Sequence, residues 1–413
     1  MKNRLLLQKK VIVFLCFIAC CLLILICKKY SGLFLEREIG HWEKTGNMVE
    51  ARGNELSAVL MADGNVLITG GYIKEKGYTN TAEIYYPKEK IFKSTGSMLH
   101  KRHNHNSYLL KDGRVVIIGG QTQSLDGYTN DVEIYNPKTG TFSKTDTLPK
   151  RIGDYTVMLD DGYICDVKFC YNPLTKQVKQ LPEINYDRMY SDLLYFSKTS
   201  FLLFGGWVMN NVSYGKLNNT ISPRKGDGYI ISDNVEEYSQ KKGFELKGNL
   251  NKARYSSCAI TLPDKNVLII GGLGHKHDKE LDINVYNKNL YPFYKKHHNG
   301  FHWWQNYIQD IELYNPKNNS SPTVGKIRYA VGNCTNSDLI LLNDRYVYIA
   351  NGAGIKEEII DIKNFKTYPT KKMKPKIVGK AVKLNEKQIL FLGKTDYHKN
   401  LKRGLIFTSN IVD

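Results

Sequence analysis

The sequence is poor in cysteine, tryptophan and acid: its 413 residues include eight Cys, four Trp, and 40 Asp plus Glu against 59 Lys plus Arg, a formal net charge of +19. So few cysteines at this length exclude a disulfide scaffold, and ordinary Gly and Pro contents (34 and 12) exclude collagen-like and low-complexity chains. No Cys-x-x-Cys pair occurs, and Cys165, Cys170, Cys258 and Cys334 have no His at ligand spacing, which removes the zinc motifs. Cys165 and Cys170 sit where a short hairpin would bring them face to face, within reach of a disulfide. Unpaired core thiols are the reading adopted for all four.

Acid is absent altogether from residues 1–29, and the reason is topological. Residues 11–27 (VIVFLCFIACCLLILIC) are uniformly apolar, flanked by Lys9, Lys10, Lys28 and Lys29. A helix of that length, at about 1.5 Å per residue, just crosses a bilayer core. Bases on the N-terminal side place that end in the cytoplasm and the remainder on the far side. Two rivals, a cleaved signal peptide and a lipid-modified Cys20, lack a convincing small-residue cleavage pair and a good recognition tripeptide, and both still export the chain. The expected organisation is a cytoplasmic tail (1–10), a transmembrane anchor (11–27), a linker (28–39) and one domain (40–413). Six of the bases flank the anchor, leaving 53 bases and 40 acids in the exported part, so export makes nucleic acid an unexpected partner.

Self-comparison reveals a repeat. Residues 52–71 (RGNELSAVLMADGNVLITGG) are followed by a loop and AEIYYP; residues 102–120 (RHNHNSYLLKDGRVVIIGG) by a loop and VEIYNP. Further copies start at Arg151, Arg188, Arg254, Arg328 and Lys376, the third cut short and the sixth stretched. Each copy reads as four short strands. An alternating strand turns through Asp-Gly in several copies (Asp63-Gly64, Asp112-Gly113, Asp161-Gly162), a hairpin signal. A continuous apolar run ending in Gly-Gly reads as a strand buried on both faces; the Glu-x-Tyr segment is a third strand, and a fourth follows a short turn.

Four strands in about 50 residues with a double glycine resemble the kelch repeat, and in particular its galactose-oxidase-like form, on Gly70-Gly71, Gly119-Gly120, Gly205-Gly206 and Gly271-Gly272, Glu83-Ile84-Tyr85, Glu133-Ile134-Tyr135, Met48 and Met98. WD40 repeats are set aside because Trp-Asp never occurs. The resemblance implies an all-β, seven-bladed propeller, with six blades as the alternative because copies three, six and seven are weak. Residues 41–48 (HWEKTGNM) parallel 91–98 (IFKSTGSM), so the first strand is expected to complete the last blade and close the ring.

Connections from the fourth strand to the next blade, and from second to third strand, emerge on one face; tight turns form the other. The loop face carries the leading Arg52, Arg102, Arg151, Arg188, Arg254 and Arg328 and two long insertions, 207–233 and 273–309. The second insertion holds His275, His277, His297, His298, His302, Trp303 and Trp304. These six Arg, with Trp207, Trp303 and Trp304, are the candidate ligand-binding residues. A recurring Arg also suits a structural clasp onto carbonyls or carboxylates of the adjacent blade, and the Trp pair suits loop packing. His103 and His105, two apart on a strand, would share one face, but no third metal ligand is identifiable; Asp154 and Asp192 hold related positions in the next blades. They read as surface histidines, with no metal or cofactor assigned. The copper and Tyr-Cys set of galactose oxidase does not map onto this chain. The expected function is a binding module for a glycan, an anionic envelope polymer or a protein; the alternative is a carbohydrate oxidase or sugar epimerase on the same scaffold.

Overall fold

Seven antiparallel four-stranded sheets arise from the seven copies of the repeat. The structure, a computed structural model, describes residues 38–410 apart from 54, 123–126, 154, 186–187, 190, 210–228, 275–307, 329–338, 351–356, 376 and 396–398. Blade one is Ser57–Leu60, Val66–Thr69, Ala82–Tyr86 and Ile91–Ser94; blade two is Asn106–Leu109, Val115–Ile118, Asp131–Asn136 and Thr141–Thr147. Blade three, from the degenerate copy, has inner strands of only two residues, Val157–Met158 and Ile164–Cys165, followed by Phe169–Asn172 and Gln177–Gln180. Blades four, five and six begin at Asp192–Ser197, Cys258–Thr261 and Leu339–Leu342.

Blade seven settles the closure. Val378–Lys383, Gln388–Thr395 and Lys399–Thr408 supply three strands, and His41–Arg52 supplies the fourth, with His41 opposite Thr408 and Trp42 opposite Phe407. The first strand, His41–Arg52, outruns the segment 41–48 read from the sequence. Six blades are excluded, and the two ends of the domain close the ring within one sheet, with His41–Arg52 as its outer strand.

The second strand of each blade is buried on both faces, as in Val115–Ile118 and Val267–Ile270. That is why these segments are continuous apolar runs rather than alternating ones. Among the described residues, seven buried clusters form, one at every blade junction. The Glu-x-Tyr tyrosines Tyr85 and Tyr135 lie in this core and pair across strands with an aromatic of the outer strand: Tyr85 with Phe92 at 4.6 Å between centroids, Tyr135 with Phe142 at 4.7 Å.

One expectation is corrected in blade three. Cys165 and Cys170 are directly opposed on the second and third strands and form a disulfide. Cys258 is disulfide-bonded as well, to a partner outside the described residues. The hairpin geometry is legible in the sequence, but whether two facing thiols are oxidised depends on the compartment. Among the described residues no helix is long and apolar enough to cross a membrane; the expected anchor, residues 11–27, lies outside them.

Candidate functional site

Four of the six leading arginines are buried clasps. Arg102 precedes blade two and is fully buried. Its Nη1 donates to the carbonyls of Gly119 (3.0 Å) and Asp131 (3.2 Å), and its Nη2 to Glu133 Oε1 at 2.5 Å. Glu133 in turn accepts the main-chain N–H groups of Leu99 and His100. Arg52 repeats the pattern with Gly70, Thr81 and Glu83, Arg188 with Gly205, Asn234 and Glu236, and Arg254 with Gly271 and Glu312. The side chains clasp the blade they lead into rather than the adjacent one. Contact with the preceding blade runs through their carbonyls, which accept from Gly71 and Gly206. A Cβ on Gly70 would lie 2.3 Å from the Arg102 carbonyl oxygen, and Gly70 has φ of +58°, so glycine is required there.

The other two are exposed. Arg328 donates from Nε to Thr367 Oγ1 at 3.2 Å, while its main-chain N–H reaches the Glu358 carboxylate. Arg151 lies flat on the Tyr128 ring, its guanidinium carbon 3.1 Å from the centroid. Trp207 belongs to Trp207–Met209, which pairs with Arg188–Met189 and Tyr229–Ile231 in a small sheet over blade four. Trp303, Trp304 and the five His of that insertion lie outside the described residues, as does most of 207–233.

A string of planar side chains crosses the loop face above blades one to three, and sequence reasoning missed it. Tyr72 and Tyr78, on a hairpin over blade one, meet edge to face at 5.9 Å. Tyr78 stacks on His103 at 3.9 Å. His103 pairs through its main chain with Gln121, whose Nε2 donates to the Tyr128 hydroxyl at 3.2 Å; Arg151 covers Tyr128. Tyr72 and Arg151 are exposed and Tyr128 is half-buried. The overlooked signal is a second motif in the repeat, Gly-Tyr-Thr-Asn, at 77–80 and again at 127–130. It places Tyr78 and Tyr128 in equivalent positions, each against a cationic or imidazole ring from the next blade's leading segment. An exposed aromatic face at one end of the string and a guanidinium at the other suit the C–H face of a sugar ring and an anionic substituent.

The channel-side polar groups are arranged differently from the sequence reading. His103 and His105 are buried, not at the surface, and Asn104 between them has φ of +52°. The segment is therefore not extended there, and the two rings take different partners, His103 stacking on Tyr78 and His105 turning to Thr69. His105 Nε2 lies 2.7 Å from Thr69 Oγ1, and burial together with Arg102, His103, Lys380 and Arg52 holds it well below the usual imidazole range. Across the ring, Ser257 donates to the buried Asp192, whose carboxyl is pushed up to about 8 by desolvation, against the opposing pull of Ser257 and Arg254. Asp233 is raised to about 6 for the same reason. Among the described residues no group of three or more His, Cys, Asp and Glu is placed to hold a metal ion; Asp154 lies outside them.

Comparison with known proteins adds the following. The profile of the Kelch motif matches residues 109–149, within blade two. No curated protein matches the chain. A solved structure titled "Structure of YjhT" is similar at 13% identity, over 79% of this chain and 99% of that one, with a TM-score of 0.48.

Proposed function

We propose that this chain, a seven-bladed kelch-type β-propeller, is a binding module tethered by residues 11–27 on the outer side of a membrane, with the loop face presented to its ligand. The galactose-oxidase-like form of its repeat is part of this reading as scaffold only. The string from Tyr72 through Tyr78, His103, Gln121 and Tyr128 to Arg151 carries the proposal. It is a surface of ring faces and hydrogen-bonding edges, contributed by connections on three successive blades. The ligand class that suits it best is a glycan or anionic envelope polymer, with a sugar ring on Tyr72 and an acidic group at Arg151, which Tyr128 supports from beneath. The Cys165–Cys170 disulfide supports export, since such bonds persist in oxidising compartments.

The test is a glycan and polymer array probed with the full-length chain in nanodiscs. A retained ligand whose affinity falls about tenfold in Tyr128→Ala and Tyr72→Ala is the expected result. A propeller that ignores the array and instead binds a protein would move the ligand class; ligand binding unchanged in both variants would move the site.

A further inference from the structure

The turn face has a charge pattern as regular as the repeat itself. The turns between third and fourth strands, 87–90, 137–140, 173–176, 240–242, 315–322 and 362–365, lie near the outer rim of that face. Each carries an exposed lysine: Lys88, Lys138, Lys176, Lys241, Lys317 and Lys363, one per blade from one to six. None of these six is ion-paired among the described residues. Lys90 and Lys242 add to the rim, although each has an acidic partner in Glu43 or Glu245. The only acid in the six turns is Glu89. The turns between first and second strands, nearer the channel, mix signs, as in Asp112 with Arg114, Asp161 and Lys198. The excess positive charge is therefore a rim, in which Lys363 is near enough to Asp361 to act on its carboxylate.

The seventh position of that rim is where the chain enters the domain. A residue of positive φ lies where each third-to-fourth-strand turn ends: Lys90 (57°), Gly140 (67°), Lys176 (59°) and Phe365 (55°) immediately before the outer strand, Gly243 (74°) as its first residue, and Asn319 (57°) within the longer turn of blade five. Gly40, just before His41–Arg52, has φ of 80° and occupies the equivalent place in blade seven. Ile39 bridges to Thr370 at the end of the outer strand of blade six, as Gly140 bonds to Gly96 just beyond the outer strand of blade one. Ile39 and Gly40, at the entry to the domain, thus lie on the lysine face, not on the loop face.

We propose that this lysine-rimmed turn face rests on the anionic phospholipid headgroup layer of the membrane that holds residues 11–27, so that the loop face points away from it; this rests on the membrane-tethered reading above. Residues 28–39 reach at most about 40 Å fully extended, which keeps the propeller close to the surface. A tether of that reach lets the ring of lysines come within the Debye length of about 8 Å, where each cation is attracted to anionic lipid. The tether supplies the proximity and the rim supplies the orientation.

Lysine acylation rates on the full-length chain in nanodiscs test this, using phosphatidylglycerol-containing and pure phosphatidylcholine discs. The expected result is a several-fold slowing at Lys88, Lys138, Lys176, Lys241, Lys317 and Lys363 in phosphatidylglycerol discs only. Lys74, Lys101 and Lys150 on the loop face should be unchanged, and about 0.5 M salt should abolish the difference. A variant with the six rim lysines replaced by Gln should lose any lipid dependence in the rates of Lys90 and Lys242. Equal slowing on both faces, or none in a chain that enters the discs, overturns the orientation and leaves the tether standing. A chain that stays in solution without detergent and never enters the discs overturns both.

Discussion

Arg102 and Glu133 are both fully buried, and a charge pair in that position stabilises the fold only while both partners are present. Glu133→Gln is therefore expected to destabilise the propeller by about 3–5 kcal/mol, because it leaves the guanidinium uncompensated and weakens the acceptor for Leu99 and His100. Arg151→Ala, at an exposed position, should cost about 1 kcal/mol or less; urea unfolding of the two variants checks the contrast. The first half of the clasp is legible in the sequence. Arg and the carbonyl it must reach are 17 or 18 residues apart in four copies, since one hairpin of fixed length separates them. The carboxylate partner is not, because connections of very different length intervene: 31 residues from Arg102 to Glu133, but 58 from Arg254 to Glu312. Asp192 gives a second residue-scale prediction. Its folded value of about 8 lies above the ordinary 3.8, so the native state holds a proton that the unfolded chain has released between those values. Its contribution is fully present below about pH 4 and lost as pH rises toward 8. Asp192→Asn, which keeps an acceptor for Ser257, should match the wild type near pH 4 and gain in melting temperature as pH rises to 8. Parallel curves for the two proteins would reject this.

At the scale of an element, blade three shows what a degenerate repeat does to compensate. Its two inner strands have two residues each, so few ladder bonds hold them, and the Cys165–Cys170 bridge ties the second to the third. A loop this short removes little chain entropy, and the expected loss in Cys165→Ala/Cys170→Ala is about 2 kcal/mol with the propeller still formed. Urea midpoints measure it, and alkylation of the denatured, unreduced wild type should leave both cysteines unlabelled. The hairpin over blade one is the other element whose meaning was hidden. Long insertions draw attention because length suggests function, yet the planar string is carried by connections shorter than either insertion. Tyr78 and Tyr128 are visible as a motif in Gly-Tyr-Thr-Asn, but their stacking partners, His103 and Arg151, come from the following blades. Sequence periodicity shows which residues are equivalent; which residues touch is set by how neighbouring blades are offset.

For the whole molecule, the closing blade is a repeat like the others, assembled from two ends of the chain. Trp42 opposite Phe407, with ring centroids 5.2 Å apart, takes the place of Phe92 opposite Tyr85, and its Nε1 donates to the Lys371 carbonyl at 2.6 Å. Thr45 Oγ1 accepts from the Gly404 main-chain N–H, and Gly40 donates to Asn410 Oδ1 at 2.8 Å, so the two ends of the domain are adjacent. If closure is merely one of seven equivalent junctions, the position of the break is arbitrary. A propeller permuted by joining residue 410 to residue 38 through a short Gly-Ser linker and opened between Lys138 and Thr139 should then fold with a melting temperature close to the parent's. Deleting residues 38–52 instead strips the outer strand from Lys399–Thr408, exposes Phe391, Phe407 and Ile406 to solvent, and leaves a ten-residue edge free to pair with other chains. That deletion is expected to aggregate, as followed by light scattering on refolding. A soluble, cooperatively unfolding deletion would mean that six blades and three strands suffice, and that the shared blade is not what holds the ring.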